Sequence, residues 1–193
     1  MGPLYCLRLC NFLLGTCTVK SIWITHGQCE YDVQNLITGW HDPDLTEQGI
    51  STANQVAVNL ADKYIEVADV YCSDLRRSFI TAKIICENTP WEKTQEVSPF
   101  IRDRDYGDLT GTQLQTLQDW KTPIPNGESL QDTASRVYSF LKEIEDRSNE
   151  IPHIIVCHSD TIRAAAVVLG KRAPHDIQDF EVHNTGEIIE WDF

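Results

Sequence analysis

The sequence predicts an α/β protein, a three-layer α/β/α sandwich around a mainly parallel sheet. The first observation behind this is a pair of β-branched, apolar runs, residues 21–25 and His153–Cys157, each followed directly by a histidine. The second is that strand-like runs alternate along the chain with stretches of helical periodicity, the signature of helices packed on a parallel sheet. The third is length: 193 residues without a linker, a low-complexity run, a fixed-period repeat or an 18-residue apolar span fit one core in one domain.

Residues 1–18 precede the patterned part and read as an N-terminal extension. Leu4, Leu7, Leu9, Phe12, Leu13 and Leu14 are apolar, but Arg8 and Asn11 break the run and the start lacks the cationic residues of a signal peptide. Cys6 stands where an acylation motif wants serine or threonine. A disordered or loosely packed extension is therefore preferred over a targeting segment.

The strand over residues 21–25 leads into His26 and Gly27, and the glycine permits a sharp turn after the histidine. A residue at the carboxyl end of a parallel strand faces the crevice where open α/β sheets bind ligands, so His26 points into a pocket. From Thr46, a suitable N-cap, Ile50, Ala53, Ala57, Leu60, Ala61 and Tyr64 make one apolar stripe of a long helix. A strand over residues 67–71 follows, then a helix from about Asp74 that buries Phe79, Ile80, Ile84 and Ile85. Residues 94–97 form a third short strand and residues 101–111 a polar loop ending in Gly111.

Residues 113–120 read as a short helix stopped by Pro123 and Pro125. Ser129 and Asp132 give a Ser-x-x-Asp start to a long helix with Val137, Phe140, Leu141 and Ile144 inward. His153–Cys157 is continuously apolar, as strands covered on both faces are, and it ends at His158. A helix over residues 161–169, closed by Gly170, and a strand over residues 187–191 complete the chain.

A net charge of −13 argues against nucleic acid and anionic membrane as partners, because both require clustered lysine and arginine. The 7 cysteines show no Cys-x-x-Cys pair and no secreted-scaffold density, so reduced thiols and a cytoplasmic location are expected. Cys29, Cys72 and Cys157 adjoin the motif residues, and inert buried thiols are the preferred reading over an oxidation-sensitive one. His41, His153, His175 and His183 have no metal-ligand spacing, which disfavours a metal site.

Five segments occur in a telling order: Ile24-Thr25-His26-Gly27 with Asn35 and Thr38-Gly39-Trp40-His41-Asp42-Pro43-Asp44-Leu45-Thr46-Glu47-Gln48-Gly49 behind it; Tyr71-Cys72-Ser73-Asp74-Leu75-Arg76-Arg77-Ser78; Arg102-Asp103-Arg104-Asp105-Tyr106-Gly107; Gly127-Glu128-Ser129-Leu130-Gln131-Asp132-Thr133; and His158 with Arg163. Together they resemble the phosphoglycerate-mutase-like branch of the histidine phosphatase superfamily. The likeness covers residues 19–193, leaving 1–18 outside the domain.

The resemblance implies that His26 is the nucleophile that becomes phosphohistidine, that His158 donates hydrogen bonds to the phosphoryl group and that Asp103 is the acid, one methylene shorter than the glutamate of close relatives. Arg77, in the first turn of its helix, pairs with the phosphate oxygens, and Asn35, Thr38, Gly39 and Ser159 belong to the same pocket. Arg104 and Tyr106 match positions on the substrate side, Arg76 points to solvent, and Arg163 orders the helix after His158. Phosphoryl transfer to an imidazole needs this set of parts: a nucleophile, cations around the equatorial oxygens and an acid on the leaving group.

The chain departs from the family in the phosphate pocket. Thr25 replaces the arginine before the catalytic histidine, Asp32 stands for an asparagine, Ser159 and Asp160 for glycine and asparagine, and Gln28 for glutamate. Two functions follow. One is a phosphomonoesterase working without metal or other cofactor on a small phosphorylated substrate, with weakened activity, as a monomer or homodimer. The other is a catalytically inactive relative acting as a binding or regulatory module. A mutase is disfavoured because only residues 112–124 separate Gly111 from the proline-rich loop, where cofactor-dependent mutases carry a longer basic insertion.

Overall fold

A computed structural model describes residues 19–116, 123–145, 147, 151–173, 180–182 and 185–193. The extension read from residues 1–18 lies outside them, as do residues 117–120 of the short helix expected after Gly111, His175 and His183. Five strands form one sheet: β1 (Lys20–Thr25), β2 (Val70–Cys72), β3 (Gln95–Val97), β4 (His153–Cys157) and β5 (Ile188–Asp192), in the order β3-β2-β4-β1-β5. β1 pairs in parallel with β4, β4 with β2 and β2 with β3, whereas β5 runs antiparallel along β1. The helices are α1 (Glu30–Val33), α2 (Glu47–Lys63), α3 (Arg76–Glu87), α4 (Leu130–Glu145) and α5 (Ser159–Val168).

Side chains of a strand alternate between faces, and β1 uses both. Ile22 and Ile24 join Val56, Ala57 and Leu60 of α2 and Ala82 and Ile85 of α3 in one core. Trp23 joins Val137, Phe140 and Leu141 of α4 and Ile162 and Ala165 of α5 in the other. Helices thus cover both faces, the expected three layers, and this is why β4 is buried at every position. The caps act as read: the Thr46 hydroxyl accepts from Gly49 N at 3.0 Å, and Ser129 and Asp132 exchange bonds at 2.9 and 3.2 Å. No helix among the described residues is long and apolar enough to cross a membrane.

Several boundaries and faces differ from expectation. Ile50 is 43 % exposed and Val56 takes its place in the α2 stripe. The third helix, α3, is turned so that Arg77, Ser78, Thr81, Ala82, Ile85 and Cys86 are buried while Phe79, Ile80 and Ile84 are only half-buried. Its inward polar residues have partners on other elements, described below. The strand expected over residues 67–71 is β2, three residues long and ending at Cys72. The helix expected from Gln113 begins as a single 3-10 turn, Leu114–Thr116. Helix α1 was not expected; Asp32 accepts from Cys29 N at 2.7 Å and caps it.

Gly27 is a glycine for a different reason than a sharp turn. Its φ is not positive; a Cβ there would lie 2.4 Å from the Gly49 carbonyl oxygen, and one on Gly49 would lie 2.1 Å from that of Gln28. The segment after β1 and the first turn of α2 touch backbone to backbone. Gly49→Ala is therefore expected to destabilise the protein by about 1–3 kcal/mol, the usual cost of overpacking. Urea unfolding checks this, with the exposed Ser51→Ala of the same helix staying within about 0.5 kcal/mol of the parent.

Candidate functional site

Register brings the two histidines together. Ser21 pairs with His153 and Thr25 with Cys157, so β1 and β4 end level and the residue after each strand stands beside its counterpart. His26 N donates to Cys157 O at 3.1 Å, and the imidazole centroids of His26 and His158 are 5.1 Å apart. His26 Nδ1 is 2.7 Å from Gly27 O. A carbonyl only accepts, so Nδ1 carries the proton and Nε2 presents a lone pair. Arg77 Nε donates to that lone pair at 3.2 Å. Burial first, and then the Arg77 charge, hold the imidazole down at about 4, against a smaller opposing effect of Asp32. His26 is consequently neutral, with a nucleophilic nitrogen, at physiological pH.

Arg77 is fully buried, and the segment before α2 wraps its guanidinium. Nη1 donates to His41 O and Nη2 to Gly39 O, both at 2.8 Å, and Nη2 also lies 3.2 Å from Asp103 Oδ2. Gly39 can present its carbonyl there because it adopts φ +50°, with Tyr106 N and Thr110 Oγ1 each 3.2 Å from where a Cβ would be. Three hydroxyls that the sequence did not single out tie the parts together. Thr81 accepts from Gly27 N at 2.9 Å and donates to Arg77 O at 2.7 Å. Ser78 accepts from Ser73 N and donates to Val156 O. Ser73 Oγ is 2.7 Å from His158 Nε2, fixing that ring. Burial, followed by Arg77 and His26, keeps His158 well below its ordinary pKa, and its Nδ1 is buried without a hydrogen-bond partner among the described residues.

Asp103 accepts from Arg104 N at 3.0 Å through Oδ1 and faces Arg77 through Oδ2. An arginine at that distance favours the carboxylate, yet burial and then the Asp160 charge outweigh it and push Asp103 up to about 7. Asp160 itself is 5 % exposed and engaged: its Oδ1 is 2.9 Å from Arg163 Nη1 and its Oδ2 accepts from the Tyr106 hydroxyl. Both Asp160 carboxylate oxygens are thus engaged while its field reaches Asp103. Asp160→Asn is expected to move the alkaline limb of a pH–rate profile to lower pH and leave the acidic limb in place, because the Asp160 charge acts on Asp103 and is not among the influences on His26.

The remaining sequence-derived residues are placed as follows. Thr25 is fully buried and its hydroxyl accepts from Glu187 N at 2.9 Å, on the side facing β5. Asn35 is exposed at φ +53° and its carbonyl accepts from Leu114 N, a turn role. Thr38 is half-buried with its carbonyl on His41 N, and Ser159 is the half-buried first residue of α5. Arg104 and Tyr106, expected on the substrate side, are buried, 1 % and 6 % exposed: Arg104 Nε donates to Glu128 O at 2.8 Å, and the Tyr106 hydroxyl donates to Asp160. Arg76 pairs with Asp44 at the surface. Arg163 also donates to Phe180 O, tying α5 down.

The thiols of Cys29 and Cys72 are buried and pushed up, chiefly by burial, to about 11 and about 12, and that of Cys157 higher still. None of the three is poised to react as a thiolate. Among the described residues no three His, Cys, Asp or Glu side chains are gathered as ligands of one metal ion. Arg136, absent from the sequence reading, donates at the back of the Asp103 loop; an arginine beside the inward positions Thr133 and Val137 was the available signal.

Residues 22–191 match the histidine phosphatase superfamily (branch 1). The 2,3-bisphosphoglycerate-dependent phosphoglycerate mutase of Rhizobium etli (strain CIAT 652) is 34 % identical over 166 residues, 78 % of this chain and 79 % of its own length. That of Methylobacterium sp. (strain 4-46) is 34 % identical over 177 residues, 81 % of this chain and 83 % of its own. Among solved structures, mycobacterial hydrolase 1 superposes with a TM-score of 0.81 at 23 % identity, over 91 % of this chain and 92 % of that one. Mycobacterial glucosyl-3-phosphoglycerate phosphatase in complex with VO3 gives 0.78 at 22 % identity, over 89 % and 90 %. At such identities the structural likeness speaks to the fold.

Proposed function

The chain belongs to branch 1 of the histidine phosphatase superfamily, in its phosphoglycerate-mutase-like part, and from that premise we propose that it is a metal-independent phosphomonoesterase for a small phosphorylated substrate. The observation that carries this reading is the state of His26: Nδ1–H fixed on Gly27 O, Nε2 deprotonated and 3.2 Å from Arg77 Nε. Nε2 attacks phosphorus in line with the ester oxygen. As its lone pair enters the new N–P bond, the Arg77 Nε–H it held turns to an equatorial oxygen, so the cation is spent on the transition state. Asp103, protonated below about 7, gives its proton to the leaving oxygen as the P–O bond breaks. Its carboxylate then takes a proton from water, which attacks the phosphohistidine and returns His26 and phosphate. His158, uncharged and fixed by Ser73, donates to the phosphoryl group.

Hydrolysis is preferred over mutase chemistry, despite the names of the relatives, because of the short segment 112–124 and because nearby arginines are engaged. Arg102 is bound to Asp74 and Arg104 donates to Glu128 O, leaving a second phosphate of a bisphosphate poorly matched. A binding-module reading is favoured by one observation, the Thr25 hydroxyl accepting from Glu187 N at the position where the family resemblance implies an arginine. The test is a panel of phosphomonoesters, 3-phosphoglycerate included, quenched in alkali. Phosphate release with a phosphorylated His26 peptide supports the phosphatase. Release lost with EDTA and restored by a divalent ion points to another mechanism. Isomerisation that needs 2,3-bisphosphoglycerate identifies a mutase, and vanadate binding without turnover identifies a binding module.

A further inference from the structure

Residues 102–106, which carry the acid, belong to no helix or strand, so their carbonyls need partners from elsewhere. The Trp40 indole donates to Asp103 O, the Thr161 hydroxyl to Arg102 O and Glu128 N to Asp105 O, and Arg136 of α4 adds the charged donors. Its Nη1 donates to Phe100 O at 2.9 Å and Arg102 O at 2.7 Å, and its Nη2 to Asp103 O at 2.7 Å. The fork is aimed by Glu128: Nε donates to Oε1 and Nη2 to Oε2, both at 2.8 Å. All five guanidinium N–H groups are thus used, three on the carbonyls of Phe100, Arg102 and Asp103 and two on one carboxylate. Glu128 Oε2 also accepts from Asp105 N at 2.9 Å, so the pair grips the loop on both sides of Asp103. The two side chains are 13 % and 17 % exposed, largely shielded from competing water.

We infer that the Arg136–Glu128 pair is the positioning element for the Asp103 acid, setting through the loop backbone how far this short carboxyl reaches toward the leaving oxygen. The inference rests on the phosphatase reading. Aspartate lacks the extra methylene by which a glutamate adjusts, so its reach depends on where the main chain is held. A lysine at position 136 has a point charge and three donors without the planar fork, and cannot satisfy three carbonyls and a carboxylate together. The nucleophile side has supports of its own in Thr81, Ser73 and the carbonyls of Gly39 and His41, and it touches the acid through Arg77 Nη2 on Asp103 Oδ2 and the Trp40 indole on Asp103 O.

The test compares an alkyl phosphate, which needs its leaving oxygen protonated, with 2,4-dinitrophenyl phosphate, which does not. Arg136→Lys is expected to lower kcat on the alkyl ester about a hundredfold, the scale of an ångström of misplacement, and on the activated ester less than about threefold, with KM unchanged. Asp103→Asn with Arg136→Lys is expected to be no slower than Asp103→Asn alone, since both act on one proton transfer. Amide hydrogen exchange should quicken at residues 101–105 and not in β1 or β4. Equal losses on both esters, additive losses in the double variant, or unchanged exchange at the loop would overturn the inference. If the unaltered protein hydrolyses neither ester, the phosphatase reading fails, and with it this assignment of the pair to an acid; the exchange result then shows separately whether Arg136 holds the loop.

Discussion

Replacing His26 by alanine is expected to leave the fold intact and to lower phosphate release at least about ten-thousand-fold, the scale seen when a covalent nucleophile is removed. The fold should survive because the ring is buried uncharged at a strand end and makes its hydrogen bonds to Gly27 O and Arg77, neither of which holds the sheet. The chemistry should not, because no other described side chain presents a deprotonated nitrogen to the Arg77 guanidinium. His158 is close, but its Nε2 is engaged with Ser73. Loss of activity with unchanged circular dichroism and no phosphorylated peptide is the expected set of results. A variant that retains more than about one per cent of parent turnover would remove His26 as the nucleophile.

Asp103→Asn is expected to cost about 10²- to 10⁴-fold on alkyl phosphates, the usual contribution of a general acid, and far less on an activated aryl ester. The pH profile carries the same information. His26 must be neutral, which it becomes as pH rises through about 4, and Asp103 must be protonated, which it ceases to be as pH rises through about 7. The profile of kcat/KM on an alkyl ester is therefore a bell with an acidic optimum between those values, and Asp103→Asn should erase its alkaline limb. Stability follows with the same sign. The Asp103 pKa is raised above its ordinary value of 3.8, so its contribution is full below that value and is lost as pH rises through about 7. The asparagine variant should accordingly lose less stability than the parent between pH 5 and pH 8 in urea titrations. An alkaline limb that persists in the variant would assign the acid role to another group.

The sequence alone determined the layer architecture and much of the element order. Continuous apolarity at β4, the 3.6-residue stripes of α2 and α4 and the cap residues Thr46, Ser129 and Asp132 are local signals, each set by burial or by hydrogen bonds a few residues away. The ordered motifs also led to the superfamily. What only the tertiary structure decided are contacts whose two ends lie on different elements. Nothing local reports that β1 and β4 end level, which is what sets His26 beside His158. Periodicity treats polar residues as solvent-facing, so it turned α3 the wrong way, hiding the burial of Arg77, Ser78 and Thr81, whose partners come from the chain around residues 26–41 and from β4. The same blindness missed Arg136 and the burial of Arg104 and Tyr106, because Glu128 and Asp160 become partners of these side chains only once α4 and α5 pack together. Gly27 shows the limit most plainly: its neighbour Gly49 is remote in the chain, and a backbone contact between them leaves no local pattern to read. A buried polar group is stable only with its partner in place, and that partner is chosen in three dimensions.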